Sequence, residues 1–195
     1  MDAINILFGI ALLYSLAANL SAARKGIKEK LTKSVYKPKT VLQKLPPNIS
    51  ALILVLQIAG IFDIGKFSAA INNNFMTYRI IALVGYVLFS FLQVYSFKSL
   101  GKFYSQDLVI LQNHELVTNG IYKFIRHPQY LFQVLSDLCA GVVLLNYLVL
   151  PITLLVEFPL FVLRAIREEK MLENHFEKVY NDYKKRSGFM LPFIG

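Results

Sequence analysis

In the stretch GIYKFIRHPQYLF, residues 120–132, a guanidinium and an imidazole, Arg126 and His127, stand directly before Pro128, which opens an apolar run. Proline fits the first turn of a helix because the N–H it lacks has no intrahelical partner there, and the free N–H groups around such a start attract anions. Arg126 and His127 add positive or ionisable character to that start. Further along, RAIREEKML places Arg164 and Glu168 four residues apart on one helix face and turns Glu169 to another. A guanidinium grips a carboxylate through two parallel hydrogen bonds, and a carboxylate accepts them from hydroxyl or ammonium groups. Each feature alone has a plainer account. Arg126 suits a headgroup anchor, and an exposed Arg164–Glu168 pair is worth roughly 0.2–0.5 kcal/mol.

The elements that hold these residues are set by composition. The chain has 195 residues, 55% of them hydrophobic and only 17% charged, which is too apolar for a soluble domain of this length. The formal net charge of +9 comes from basic residues clustered between apolar runs, where anionic headgroups and topology account for them without a nucleic-acid partner. The single cysteine, Cys139, lies inside an apolar run and reads as a small core hydrophobe. No metal is expected. Asp2 stands where a signal peptide carries positive charge, and the apolar run over 3–23 exceeds a typical signal core, so it reads as a retained transmembrane helix.

At roughly 20 residues per crossing, further spans fall at about 47–64 and 80–97. The region 128–163 reads either as one span or as a hairpin of helices at 128–146 and 148–166. The hairpin turns near Asn146 and Tyr147, has Pro151 just inside its second helix, and carries Asp137 and Glu157 at membrane depth, where they should face protein. Charge asymmetry favours the hairpin. Arg24, Lys25, Lys28, Lys30, Lys33, Lys37, Lys39 and Lys44 against Glu29 mark the first loop as cytoplasmic, and the basic tail beyond Arg164 returns to that side only if the chain crosses five times. The N-terminus is then outside. Asn72, Asn73 and Asn74 read as a turn, and the chain as one domain, 1–195, without internal repeats. The hairpin brings its two ends, His114–Tyr130 and Arg164–Glu169, together at the cytoplasmic surface.

The order HELVTNGIYKFIRHPQY, RAIREEKML, FEKVYNDYKKRSGFMLPFIG resembles the isoprenylcysteine carboxyl methyltransferase family of integral membrane enzymes, which methylate C-terminal prenylated cysteines with S-adenosylmethionine. The similarity covers about residues 98–195, the catalytic region. It implies an all-α membrane protein of about five transmembrane helices, the last two a hairpin, with a cytoplasmic cofactor pocket and a short C-terminal helical tail. Carried over residue by residue, His114, Leu116, Val117 and Tyr122 match one cofactor-lining segment. His127, Pro128 and Tyr130 match a second. Glu168 matches the acid that contacts the cofactor, and Arg164 the arginine on the substrate side; these two form the expected catalytic pair. Glu115 and Gln129 occupy variable places. A glutamine that binds cofactor in some members has no aligned counterpart around Gln106–Gln112.

The resemblance implies S-adenosylmethionine as cofactor, S-adenosylhomocysteine as product, and a lipophilic or prenylated acceptor entering from the bilayer among membrane lipids. The membrane is the plasma membrane in a prokaryote and the endoplasmic reticulum in a eukaryote. The residue types suit this chemistry: His127 and the helix start for the cofactor carboxylate, Tyr122 and Tyr130 for adenine or sulfonium, and Arg164 for the acceptor carboxylate. That nucleophile is ionised at neutral pH and needs no general base. Three other readings compete: a phospholipid or other amine N-methyltransferase, a nicotinamide-dependent sterol-type reductase, and a non-enzymatic scaffold or transporter subunit. An arginine at the acceptor repels an ammonium, the paired acids sit badly with a phosphate-rich cofactor, and the last reading makes Asp137 and Glu157 the functional acids.

Overall fold

The computed structural model describes residues 2–29, 34–67 and 75–195. The turn expected at Asn72–Asn74 and the cations Lys30 and Lys33 lie outside them. The first helix, α1 (Ala3–Glu29), is followed by a short strand β1 (Ser34–Tyr36), then α2 (Leu45–Ile61) and α3 (Met76–Leu100). Strand β2 (Ile110–Leu111) pairs antiparallel with β1. After α4 (Pro128–Val143), α5 (Val149–Ile152) runs through a π-helical turn (Thr153–Glu157) into α6 (Phe158–Phe176), and α7 (Lys178–Lys184) closes the order.

Among the described residues, four helical segments are long and apolar enough to cross a membrane: Ala3–Ser21, Val41–Ile61, Met76–Phe103 and Val149–Phe176. They correspond to four of the five expected spans. The fifth, α4, has 16 residues, about 24 Å at the usual rise, which is short of a hydrocarbon core of roughly 30 Å. Helix α4 packs along α3 and against α5 and α6, so its backbone is sheltered by protein.

Prolines explain the helix boundaries. Pro46 and Pro128 occupy first turns, where their missing donors leave no gap. The widened turn at Thr153–Glu157 lies between Pro151 and Pro159, neither of which donates a helical hydrogen bond.

The pattern of burial suits a lipid solvent. Leu13, Val55, Ile81, Phe91 and Leu155 point outward, while Gln57, Gln93, Asp137 and Glu157 are buried. Asp137 and Glu157 are 5% and 0% exposed, so both face protein as expected. Phe8 and Tyr86 meet edge-on at 4.8 Å beside Ala140, Val143 and Leu144, joining α1, α3 and α4.

Polar clamps close the two ends of the bundle. At one end, fully buried Arg79 donates to both carboxylate oxygens of Asp2 (2.8 and 3.0 Å), to Asn5 Oδ1 (2.8 Å) and to the Val143 carbonyl (2.7 Å). There the connection between α4 and α5 turns at Asn146, as expected. Asn146 Oδ1 accepts from the amides of Leu148 and Val149, and its Nδ2 donates to the Ile64 carbonyl. At the other end the β1–β2 pair, a Lys37–Asp107 ion pair at 3.0 Å and the C-terminal tail assemble over the ends of α3, α4 and α6.

Candidate functional site

The tail builds the floor of the site. The Arg126 amide donates to the Gly188 carbonyl at 2.8 Å and the Gly188 amide to the Phe124 carbonyl at 3.0 Å. A side chain at 188 would lie 1.8 Å from the Leu191 carbonyl, so this turn requires glycine. A second glycine, Gly120 with φ +57°, starts the short turn that carries Tyr122 inward.

One cavity of about 90 Å³ lies between the segment 103–117, the start of α4, α6 and α7. Of the eight sequence-predicted cofactor residues, His114, Leu116, Val117, Tyr122, His127, Tyr130 and Glu168 line it. Pro128 does not; buried in the first turn, it sets the direction of α4. Arg164 instead lines a second cavity of about 320 Å³ inside the helix bundle, and Ser105, Gln129 and Tyr130 belong to both walls. Tyr130 is thus the partition. Its hydroxyl accepts from Arg164 Nε at 3.0 Å and donates to Glu168 Oε2 at 2.8 Å. Its ring stacks on Phe161 and His127 at 5.0 and 5.7 Å.

Arg164 is 4% exposed. Besides Tyr130 it donates from Nη1 to the carbonyls of Leu42 and Gln43, at 2.9 and 3.4 Å, and from Nη2 to the carbonyl of Gln106. Four hydrogen bonds engage a group with five N–H donors. By count, one N–H is left for a further acceptor.

One sequence-based expectation is corrected here. Arg126 is not a free cation at a helix start. It is buried, donates to Glu169 Oε1 at 2.5 Å, to the Lys184 carbonyl at 3.2 Å, to the Ser187 carbonyl and to the Gly195 carbonyl at 3.0 Å, and so clamps the tail. Glu169, expected on another face than Glu168, lines neither cavity and is the more buried of the two acids. It meets Arg126, His127 Nε2 at 3.3 Å and Lys184 at 3.4 Å. The reason is the tail: its return supplies a second wall, and the face carrying Glu169 is buried against it. His127 lies between Glu169 and Glu168, whose Oε2 is 3.8 Å from Nδ1.

His114 stacks on Phe103 at 5.3 Å, and its Nδ1 accepts from the Leu111 amide at 3.4 Å. Burial, reinforced by repulsion from His175 and opposed by Glu168, lowers its pKa below the ordinary imidazole value. The ring is therefore neutral at neutral pH, with its proton on Nε2. Burial also raises the Tyr122 phenol well above its usual range, so it stays a donor. Tyr180 and Tyr183 from α7 line the same cavity. Sequence reading missed them, although their spacing in VYNDYKK puts both on one helix face.

Residues 74–174 match the model of the isoprenylcysteine carboxyl methyltransferase family. Protein-S-isoprenylcysteine O-methyltransferase of Tribolium castaneum is 35% identical over 82 residues, which is 42% of this chain and 29% of that protein. The protein of the same name from Schizosaccharomyces pombe is 30% identical over 129 residues, 65% of this chain and 55% of that one. The matches thus span about a third to a half of these relatives' lengths. A solved structure of a eukaryotic intramembrane Ras methyltransferase of this kind superposes with a TM-score of 0.66 over the whole chain and 69% of its own. At 22% identity that likeness concerns the fold.

Proposed function

The chain belongs to the isoprenylcysteine carboxyl methyltransferase family, and on that premise we propose that it methylates the carboxylate of a prenylcysteine or similar lipophilic acid at the membrane, with S-adenosylmethionine as donor. The observation that carries this reading is the hydrogen-bonded series Arg164–Tyr130–Glu168, set where a polar cavity and a cavity within the helix bundle share a wall.

The polar cavity suits a cofactor with amine, carboxylate and ribose groups. The Tyr180 hydroxyl in its lining is buried without a hydrogen-bond partner, an orphan that a polar ligand satisfies. At about 90 Å³ the space is below the usual range for small-molecule sites. Occupation by a molecule of that size therefore requires the cavity to widen. Glu168, with Oε2 held by Tyr130, presents Oε1 to hydroxyl or ammonium donors. His114, Tyr122 and His127 hold the remaining polar groups, while Leu116 and Val117 supply apolar contact.

When bound, S-adenosylmethionine would supply an electrophilic methyl group on a sulfonium. The chain's task is positioning, because the acceptor carboxylate is ionised at neutral pH. Arg164 holds that carboxylate from the bundle side, and Tyr130 keeps Arg164 and Glu168 in fixed relation. Such alignment lowers barriers by several kcal/mol, up to about 7–11 in model reactions. A cationic guanidinium at the acceptor disfavours an amine substrate, which must be uncharged to react.

The same reading puts α4 and α5–α6 as a hairpin that returns the tail to the cytoplasmic side, with the N-terminus outside. The pairing of β1 with β2 and the Lys37–Asp107 bridge support one side for the basic first loop and the site. The test is transfer of labelled methyl from S-adenosylmethionine to N-acetyl farnesylcysteine or phosphatidylethanolamine in liposomes. Base-labile label on the cysteine derivative is expected. Label only in base-stable phospholipid overturns the carboxylate reading in favour of the amine.

A further inference from the structure

We propose that a surface cavity beside α6, apart from the two that make up the candidate site, binds the phosphate of an anionic membrane lipid. The inference draws on the membrane fold and not on the reaction proposed above. The cavity has a volume of about 290 Å³ and is lined by Arg167, Lys170, Asn174 and His175 from α6 and by Tyr36 from β1. Its apolar part is Ile110 and Met171, both buried, which also line the polar cavity, so the two spaces stand back to back.

The lining has the chemistry of an anion site. Arg167, Lys170 and Asn174 stand at i, i+3 and i+7 of α6 and so share one helix face. Among the described residues neither Arg167 nor Lys170 makes an ion pair, and no carboxylate lines the cavity. The acids of the same helix are engaged elsewhere: Glu168 by Tyr130, Glu169 by Arg126, and Glu173 with Lys184 at 3.8 Å. Two cations are therefore uncompensated. A guanidinium, an ammonium, an amide and a phenol converge there as donors, and phosphate oxygens accept from all of them.

The source of the phosphate follows from the apolar residues that precede the cations. Leu163 and Ile166 are 53% and 42% exposed, and each stands four residues before a cation, Leu163 before Arg167 and Ile166 before Lys170. That is one turn, about 6 Å, along the same helix line. These residues belong to a segment long and apolar enough to cross a membrane, so their exposed side chains face acyl chains. A lipid whose chains lie against Leu163 and Ile166 brings its headgroup to the cavity. A soluble phosphate or an acidic peptide would use the cations and leave the adjoining apolar file bare. A net negative headgroup is preferred over a zwitterionic one because the cavity offers no acid to a choline or ethanolamine. Such a lipid anchors α6, the helix that carries Arg164 and Glu168.

The experiment measures equilibrium binding of phosphatidic acid and phosphatidylcholine, with identical fluorescent acyl chains, to the full chain in an uncharged detergent. Phosphatidic acid is expected to bind about tenfold or more tightly, since each basic contact provides about fivefold. Replacing both cations, Arg167→Gln with Lys170→Gln, should reduce that preference to about threefold or less. Both side chains are exposed, so the variant should melt like the native chain. Lys123→Gln with Lys178→Gln removes the same charge from exposed positions outside the cavity and should leave the preference unchanged. Equal binding of the two lipids, or an equal loss in the two double variants, overturns the proposal in favour of diffuse attraction. Displacement of the labelled lipid by inorganic phosphate or a glutamate-rich peptide as readily as by unlabelled phosphatidic acid overturns the assignment to a lipid.

Discussion

The hydroxyl of Tyr130 is 3.0 Å from Arg164 Nε and 2.8 Å from Glu168 Oε2, so two groups assigned to different ligands share one phenol. Tyr130→Phe removes that oxygen and keeps the ring stacked on Phe161 and His127. Turnover should fall about tenfold to hundredfold, the effect of losing one charged hydrogen bond, while thermal stability changes little. Steady-state kinetics beside a melting curve check this, and native turnover would show that the bridge does not matter to the reaction.

Glu168 and Glu169 should fail in different ways. Glu169→Ala leaves the Arg126 guanidinium buried without its carboxylate, a loss of about 3–5 kcal/mol in comparable buried pairs. Denaturation or proteolysis should register it as instability. Glu168, with a side chain 34% exposed, should cost little stability. Its removal should instead raise the dissociation constant for S-adenosylhomocysteine about tenfold to hundredfold. Calorimetric titration beside melting curves separates the two, and identical behaviour would contradict the assignment.

Acid should weaken the site through His114. Its folded-state pKa lies below the ordinary 6.5, because burial and His175 disfavour the imidazolium. The stability it contributes is fully present above the ordinary value and is lost as pH falls through the lowered one. Protonation also removes the Nδ1 lone pair that accepts from the Leu111 amide and so disturbs the segment lining the cavity, and cofactor affinity should fall over the same window. Melting temperature and S-adenosylhomocysteine affinity measured from about pH 7.5 down to about pH 5 should both decline in the native chain, and less steeply in His114→Phe. Equal slopes in the two proteins would remove His114 from this role.

Much of the arrangement of the candidate site was legible in the sequence because its residues sit on two local motifs. His127, Pro128 and Tyr130 open one helix, and Arg164 and Glu168 share a face of another, so helical spacing and a first-turn proline place them. Arg126, Glu169, Tyr180 and Tyr183 were misread or missed, since their surroundings are set by a tail that returns around Gly188 to meet residues far earlier in the chain. Helical periodicity describes an element's faces but not which later segment covers them. The intramembrane acids were correctly expected to face protein. Their glutamine partners, drawn from three helices, became evident only once the helices were packed.

The central claim is that Arg164 serves the acceptor and Glu168 the cofactor. It is tested most directly by titrating S-adenosylhomocysteine into Arg164→Ala and Glu168→Ala while measuring methyl transfer to N-acetyl farnesylcysteine. Arg164→Ala should keep its affinity within about threefold and lose turnover about a hundredfold or more, whereas Glu168→Ala should lose affinity first. Near-native affinity and turnover in both variants would contradict the account and leave the two residues as a structural pair.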